Sequence, residues 1–275
     1  MEVCCYPLVL DLCSYYVVTD IHLCNILVKL LSSFNHLSVK QFYEKYGEPE
    51  TVPITLQDGK PLPSNVPPKA VIPLYLGMDA EEFKLHDAHV LLSNFGESYC
   101  PSSEICQGED CHTPLAVWPS EARFKSQAPP SYLADIWSLA VAIWEVLGMK
   151  AIFSNEYITE DEMVSQHINV LGPMPTSWWD RWEESGEFFD QDGCPTEGRE
   201  VWPELGQAFE RGAQGYQQKL QMGVFQGEET RAILNLICQM LTFQPEERPT
   251  IKEVLESKWM VKWVLPDLER CEISK

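Results

Sequence analysis

Cations are scarce in this sequence: 20 Lys and Arg stand against 41 Asp and Glu, giving a formal charge of -21. Nucleic acids and membrane surfaces are anionic, so this balance argues against a general binder of either and favours basic partners. The plainer alternative is that the acidity serves solubility alone. Long apolar runs are also missing. The longest, Ile136 to Leu147, is interrupted by Glu145 and is too short to cross a bilayer. Met1 to Leu12 holds no Lys or Arg and is broken by Glu2, Pro7 and Asp11, which is not the pattern of a signal peptide. A soluble protein of the cytoplasm, the nucleus or both is expected, with no direct nucleic-acid or membrane partner.

No CxxC pair occurs among the 10 cysteines, which excludes the common zinc spacings, and their density is too low for a disulfide mini-protein. Reduced thiols are expected. The one local cluster, Cys106 and Cys111 followed by His112, fits no standard metal pattern. Nor is there a Gly-x-Gly-x-x-Gly anywhere, so no phosphate-cradling loop of that kind is expected. What the chain does hold is apolar material: 45% hydrophobic over 275 residues suffices for one large domain or two small ones.

Along the chain, Leu8 to Leu30 reads as helix, polar loop and short strand. Val39 to Tyr46 is helix-compatible. Pro49, Pro53, Pro61, Pro63, Pro67 and Pro68 then exclude a continuous helix or a central strand. His89 to Leu92 reads as a strand. The strongest helix follows Asp135, apolar on nearly every side and therefore central, with Gly148 placed to cap its end. Asp161 to Leu171 reads as helix, Pro173 to Trp202 as a Trp-rich acidic loop, and Glu228 to Leu241 as a one-faced helix. Pro245 to Pro249 ends it, and Thr250 with Glu253 forms a capping-box pattern for a helix through Trp259.

The chemistry-bearing pattern is Asp20 and Asn25, five positions apart in a polar knot between an apolar helix and an apolar strand. That spacing suits one carboxylate for a substrate proton and one amide for a metal ion. A turn capped by Asp and Asn would look the same. Order decides between them: Asn94-Phe95-Gly96 follows a strand, Pro119-Ser120-Glu121 comes next, then Asp135-Ile136-Trp137-Ser138, and Arg248 lies in a late loop.

In this order the segments resemble eukaryotic-type Ser/Thr protein kinases: the D-F-G, A-P-E and D-x-W-S motifs. Thr19 to Asn25 resembles the H-T-D-I-H-x-x-N catalytic loop of fungal relatives of the SR-protein kinases. The resemblance implies an α+β, predominantly α-helical fold, a kinase-like C-terminal lobe over 1–275. Within it, 1–30 is the catalytic-loop region, 31–88 a Pro-rich insert, 89–121 the activation segment and 122–275 a helical subdomain. ATP and Mg2+ are the implied cofactors. Asp20 would orient and deprotonate a Ser or Thr hydroxyl, His22 would touch the transferred phosphate, and Asn25 and Asn94 would hold metal. Phe95, Gly96, Glu121, Asp135 and Arg248 would be structural supports, with Glu121 and Arg248 as a buried ion pair.

Two substitutions depart from the family pattern. Asn94 stands where the motif has Asp, and losing a full charge beside a dication forfeits on the order of several kcal/mol. Val18 stands where the family has His. The family's ATP-binding lobe, with its glycine loop and strand Lys, is not in this sequence. The chain is therefore expected to be inactive or severely impaired as a transferase, either as a fragment or as a kinase that kept only its larger lobe. A second reading is an acidic module for Arg/Ser-rich proteins, with Trp178, Trp179, Glu183 and Glu184 in its docking stretch, by ion pairing and cation-π stacking. A third is a small-molecule phosphotransferase, which shares Asp-x-His-x-x-Asn but lacks the later motifs.

Overall fold

The structure, a computed structural model, describes residues 17–29, 36–56, 58–74, 90–101, 113–125, 129–154 and 158–273. The helix expected at the start of Leu8 to Leu30, and the Cys106, Cys111 and His112 cluster, lie outside these residues. The chain divides into two compact units, Met1–Leu27 with Val90–Lys275, and Val28–His89.

A 3-10 turn at Leu23–Asn25 leads into strand β1 (Ile26–Val28). The Val28–His89 unit then carries helix α1 (Val39–Tyr46), whose Ser38 and Gln41 form a capping box. It also carries an antiparallel pair, β2 (Thr51–Pro53) and β3 (Lys69–Val71), with Val52 opposite Ala70. Pro53 is tolerated because a two-stranded pair is all edge. The chain returns as β4 (Val90–Leu92), the neighbour of β1 in a second two-stranded sheet.

The remainder of the larger unit is helical: α2 (Glu121–Phe124), α3 (Tyr132–Gly148), α4 (Glu160–Leu171), α5 (Thr176–Trp179), α6 (Ser185–Phe188), α7 (Leu205–Phe209), α8 (Gly215–Lys219), α9 (Gly227–Met240), α10 (Ile251–Leu255) and α11 (Leu265–Ile273). Helix α3 is the axis. Ile136, Trp137, Ala140, Val141 and Trp144 are buried against Phe153, Met163, Phe209, Ile233, Leu236, Ile237 and Met240. At roughly 1.5–3 kcal/mol for each large side chain, this cluster is the main source of stability. Two polar residues of α3, Asp135 and Ser138, are buried as well, and Ser138 Oγ donates to the Val117 carbonyl at 2.9 Å.

Three details depart from expectation. Helix α3 runs through Gly148, which is buried beside Ala213, and Met149 instead takes the left-handed conformation, φ 50°. The last helical stretch is interrupted after Leu255, where Ser257 Oγ accepts from the Met260 N–H and starts a fresh turn. The Trp-rich loop is not featureless: it folds as α5 and α6 around a second core of Val164, Ile168, Met174, Trp178, Trp182, Phe189 and Phe243. No helix among the described residues is long and apolar enough to cross a membrane.

Candidate functional site

The stretch that leads into Asp20 is clamped through its backbone. Asp135, in the first turn of α3, accepts the backbone N–H of Val18 through Oδ2 and that of Thr19 through Oδ1, both at 2.8 Å. Burial pushes the Asp135 carboxyl up to about 7, and the two N–H donors pull against that rise. Thr19 is held at φ 62°, an uncommon state for a β-branched residue. Its Oγ1 donates to the Val18 carbonyl at 2.7 Å, and its own carbonyl accepts from Thr113 Oγ1 at 2.6 Å. An isolated bridge between Val17 and Tyr99 fastens the same stretch to the segment after β4.

Asp20 and Asn25 are both buried. Asn25 Nδ2 lies 2.7 Å from Asp20 Oδ2 and 2.9 Å from the Asp20 carbonyl. His22 Nε2 lies 3.0 Å from Asn25 Nδ2 and 3.1 Å from Asp20 Oδ1, facing a donor on one side and an acceptor on the other. The second contact is close but off the line of a hydrogen bond, so Oδ1 is left without one. Asn94, exposed at the turn after β4 with φ 63°, donates from Nδ2 to Asp20 Oδ2 at 2.8 Å. The turn is tied down by Ser93, whose N–H donates to the Asn25 carbonyl at 2.9 Å. Phe95 and Gly96 continue it as an exposed 3-10 turn.

Asp20, His22, Asn25 and Asn94 thus meet in one place. The structure arranges them as one carboxylate with two amide nitrogens turned toward it. Mg2+ takes oxygen ligands in near-ideal octahedral geometry, with one or two carboxylates among them. A single carboxylate flanked by amide N–H donors does not fit that demand, and no cluster of three His, Cys, Asp or Glu among the described residues could hold a metal ion.

Glu121 and Arg248 form a separate contact. The guanidinium, with no exposed side-chain surface, donates to both carboxylate oxygens at 2.6 Å. It also donates to the carbonyls of Leu133 at 2.8 Å and Thr242 at 2.8 Å, and stacks over Trp137. Residues not singled out from sequence contribute as well. Glu145 is half-buried with His22 as its electrostatic neighbour; burial raises its carboxyl and the imidazole draws it back. The only signal for it was a lone acid inside an apolar run. Ser120 Oγ pairs with Nδ1 of the buried His167 at 2.7 Å.

The docking stretch is divided. Trp178 is buried, stacked on Phe124 and edge-on to Phe243. It is thus a core residue, with Lys125 Nζ already 5.9 Å from its ring centroid. Trp182 is buried too, its Nε1 donating to Asp161 at 2.6 Å. Trp179 is half-buried between Trp182 and Phe189. Glu183 is exposed, and Glu184 lies 3.7 Å from Arg123.

A family model described as protein kinase domain matches residues 87–260, a span that includes Asn94, Glu121, Asp135 and Arg248 but not Asp20 to Asn25. The chain is similar to a serine/threonine-protein kinase SRPK of Physarum polycephalum, 26% identical over 46% of this chain and 29% of that protein. It is similar to a serine/threonine protein kinase of Aspergillus fumigatus, 22% identical over 46% of this chain and 30% of the relative. A probable serine/threonine-protein kinase dyrk2 of Dictyostelium discoideum is 25% identical over 48% of the chain and 13% of that protein. The chain spans less than a third of the length of these relatives.

Proposed function

This chain belongs to the protein kinase family, of the serine/threonine kind, and from that premise we propose that it is a kinase-fold protein in which phosphoryl transfer is absent or severely reduced. The family in general uses ATP and Mg2+; the finer assignment, SR-protein-kinase-like transfer from ATP to Ser or Thr, rests on resemblance at Thr19 to Asn25. Asp20 would be the carboxylate facing a substrate hydroxyl. The observation that carries the proposal is the Asn94 amide on Asp20 Oδ2, which stands where a second carboxylate would serve a metal ion. The test is transfer of labelled phosphate from Mg-ATP to a Ser/Arg-rich peptide. No signal above that of Asp20→Ala is expected, and turnover clearly above it would overturn the reading.

A second reading is an interaction module for Arg/Ser-rich proteins of the cytoplasm or nucleus. Its support is a run of exposed carboxylates, Asp180, Glu183, Glu187, Asp190 and Asp192, on a chain of formal charge -21. Burial of Trp178 and Trp182 leaves Trp179 as the half-buried tryptophan of the stretch, so the reading rests mainly on ion pairing that salt will screen. Binding of an Arg/Ser-rich peptide that survives high salt unchanged would count against it.

A further inference from the structure

Asp20 Oδ2 accepts from two side-chain amides at once, Asn25 Nδ2 at 2.7 Å and Asn94 Nδ2 at 2.8 Å, and its carboxylate is only 8% exposed. The amides arrive from different places. Asn25 belongs to the turn directly after Asp20, and Asn94, 74 positions beyond Asp20, to the turn after β4. A divalent ion draws side chains from separate loops onto one centre through oxygen atoms and charge. Here the same convergence is achieved by N–H groups.

We infer that Asn94 is an intramolecular replacement for a divalent ion: its amide ties the turn at Asn94–Gly96 to Asp20, so that the site keeps its shape with no metal bound. Resting on the function proposed above, this identifies what holds such a site together. Amide hydrogens carry enough partial charge to satisfy one carboxylate oxygen. They could not satisfy two carboxylates, and Asp at position 94 would face Asp20 with like charge unless a cation lay between them. The backbone at Asn94, φ 63° and ψ 56°, is a conformation for which Asn and Asp are the best-suited residues after Gly. Exchanging Asn for Asp therefore changes charge without a backbone cost.

The test is thermal unfolding of the whole chain, without nucleotide, in EDTA and in millimolar MgCl2 at matched ionic strength. The unchanged chain is expected to melt at the same temperature in both. Asn94→Asp is expected to melt several degrees lower in EDTA and to recover in MgCl2. Asn94→Ala, which removes the donor and adds no charge, is expected to melt lower in both, and it sets the baseline for general Mg2+ effects on an acidic chain. A rise of about 3 °C or more for the unchanged chain in MgCl2, above that baseline, overturns the inference. So does an Asn94→Asp variant indifferent to Mg2+, or an Asn94→Ala variant as stable as the unchanged chain. Should Asn94→Asp not fold, the unchanged chain and Asn94→Ala still decide. A chain stabilised by Mg2+ that transfers no phosphate keeps the proposed function and loses this inference; a chain indifferent to Mg2+ that transfers phosphate does the reverse.

Discussion

Arg248 and Glu121, 127 positions apart, meet in a two-pronged ion pair in which both guanidinium nitrogens donate at 2.6 Å. The fork also serves three backbone carbonyls, those of Leu133, Thr242 and Phe243, so one side chain fastens α2 and the first turn of α3 to the loop after α9.

Removing that fork should be costly. Arg248→Ala leaves Glu121 unpaired beside a dry interior and should lower unfolding free energy by about 3–5 kcal/mol, read by urea denaturation. Arg248→Lys keeps the charge but cannot reach both oxygens and the carbonyls together, so it should recover only part of the loss. Stability equal to the unchanged chain in Arg248→Lys would show that charge alone matters.

Asp135 holds Val18 and Thr19 only by their backbone N–H groups, and Asp135→Ala strands both in the interior. An expected cost of about 2 kcal/mol or more follows from one to three per orphaned donor. The specific reading is amide hydrogen exchange: protection at Val18 and Thr19 should fall further than at Ile233 or Ile237 in the core. Uniform loss across the chain would deny the clamp.

His167 is fully buried, and burial together with the nearby Arg248 charge depresses its imidazole from 6.5 to about 3. Between those values the unfolded chain binds a proton that the folded chain refuses. Stability from this residue is therefore complete above 6.5 and is lost as pH falls, at up to about 1.4 kcal/mol per pH unit. Asp135, raised to about 7, contributes the opposite slope over part of this window, so the informative quantity is a difference. The stability deficit of His167→Leu relative to the unchanged chain should narrow as pH falls below 6.5, and parallel pH curves would refute the assignment.

Trp178 and Glu183 separate packing from docking within one short stretch. Trp178→Ala should cost about 3–5 kcal/mol by opening the second core, whereas Glu183→Ala should stay within about 0.5 kcal/mol. If the acidic face binds Arg/Ser-rich peptides, Glu183→Lys with Glu187→Lys should weaken that binding without lowering the melting temperature.

The central helix and the capping box at Thr250 were legible from sequence because each depends on neighbours a few residues apart. The apolar run after Asp135 and the Thr250 and Glu253 pair are of that kind. The convergence of Asn94 on Asp20 was not, because spacing locates both residues but says nothing of which amide atom faces the carboxylate. Sequence showed Asn94 as a lost charge; the geometry adds a gained donor. The fate of Trp178 was hidden for a similar reason, since helical spacing sets its direction and only Phe124 and Phe243 decide that the direction is inward.

Because Asp135 grips peptide N–H groups, the loop before Asp20 is specified by atoms that every residue except proline possesses. Side chains on that loop can vary while the path of the chain stays fixed. Shape and side-chain chemistry are in this sense specified separately: a substitution at Val18 or Thr19 can change what the loop presents without moving the backbone that presents it.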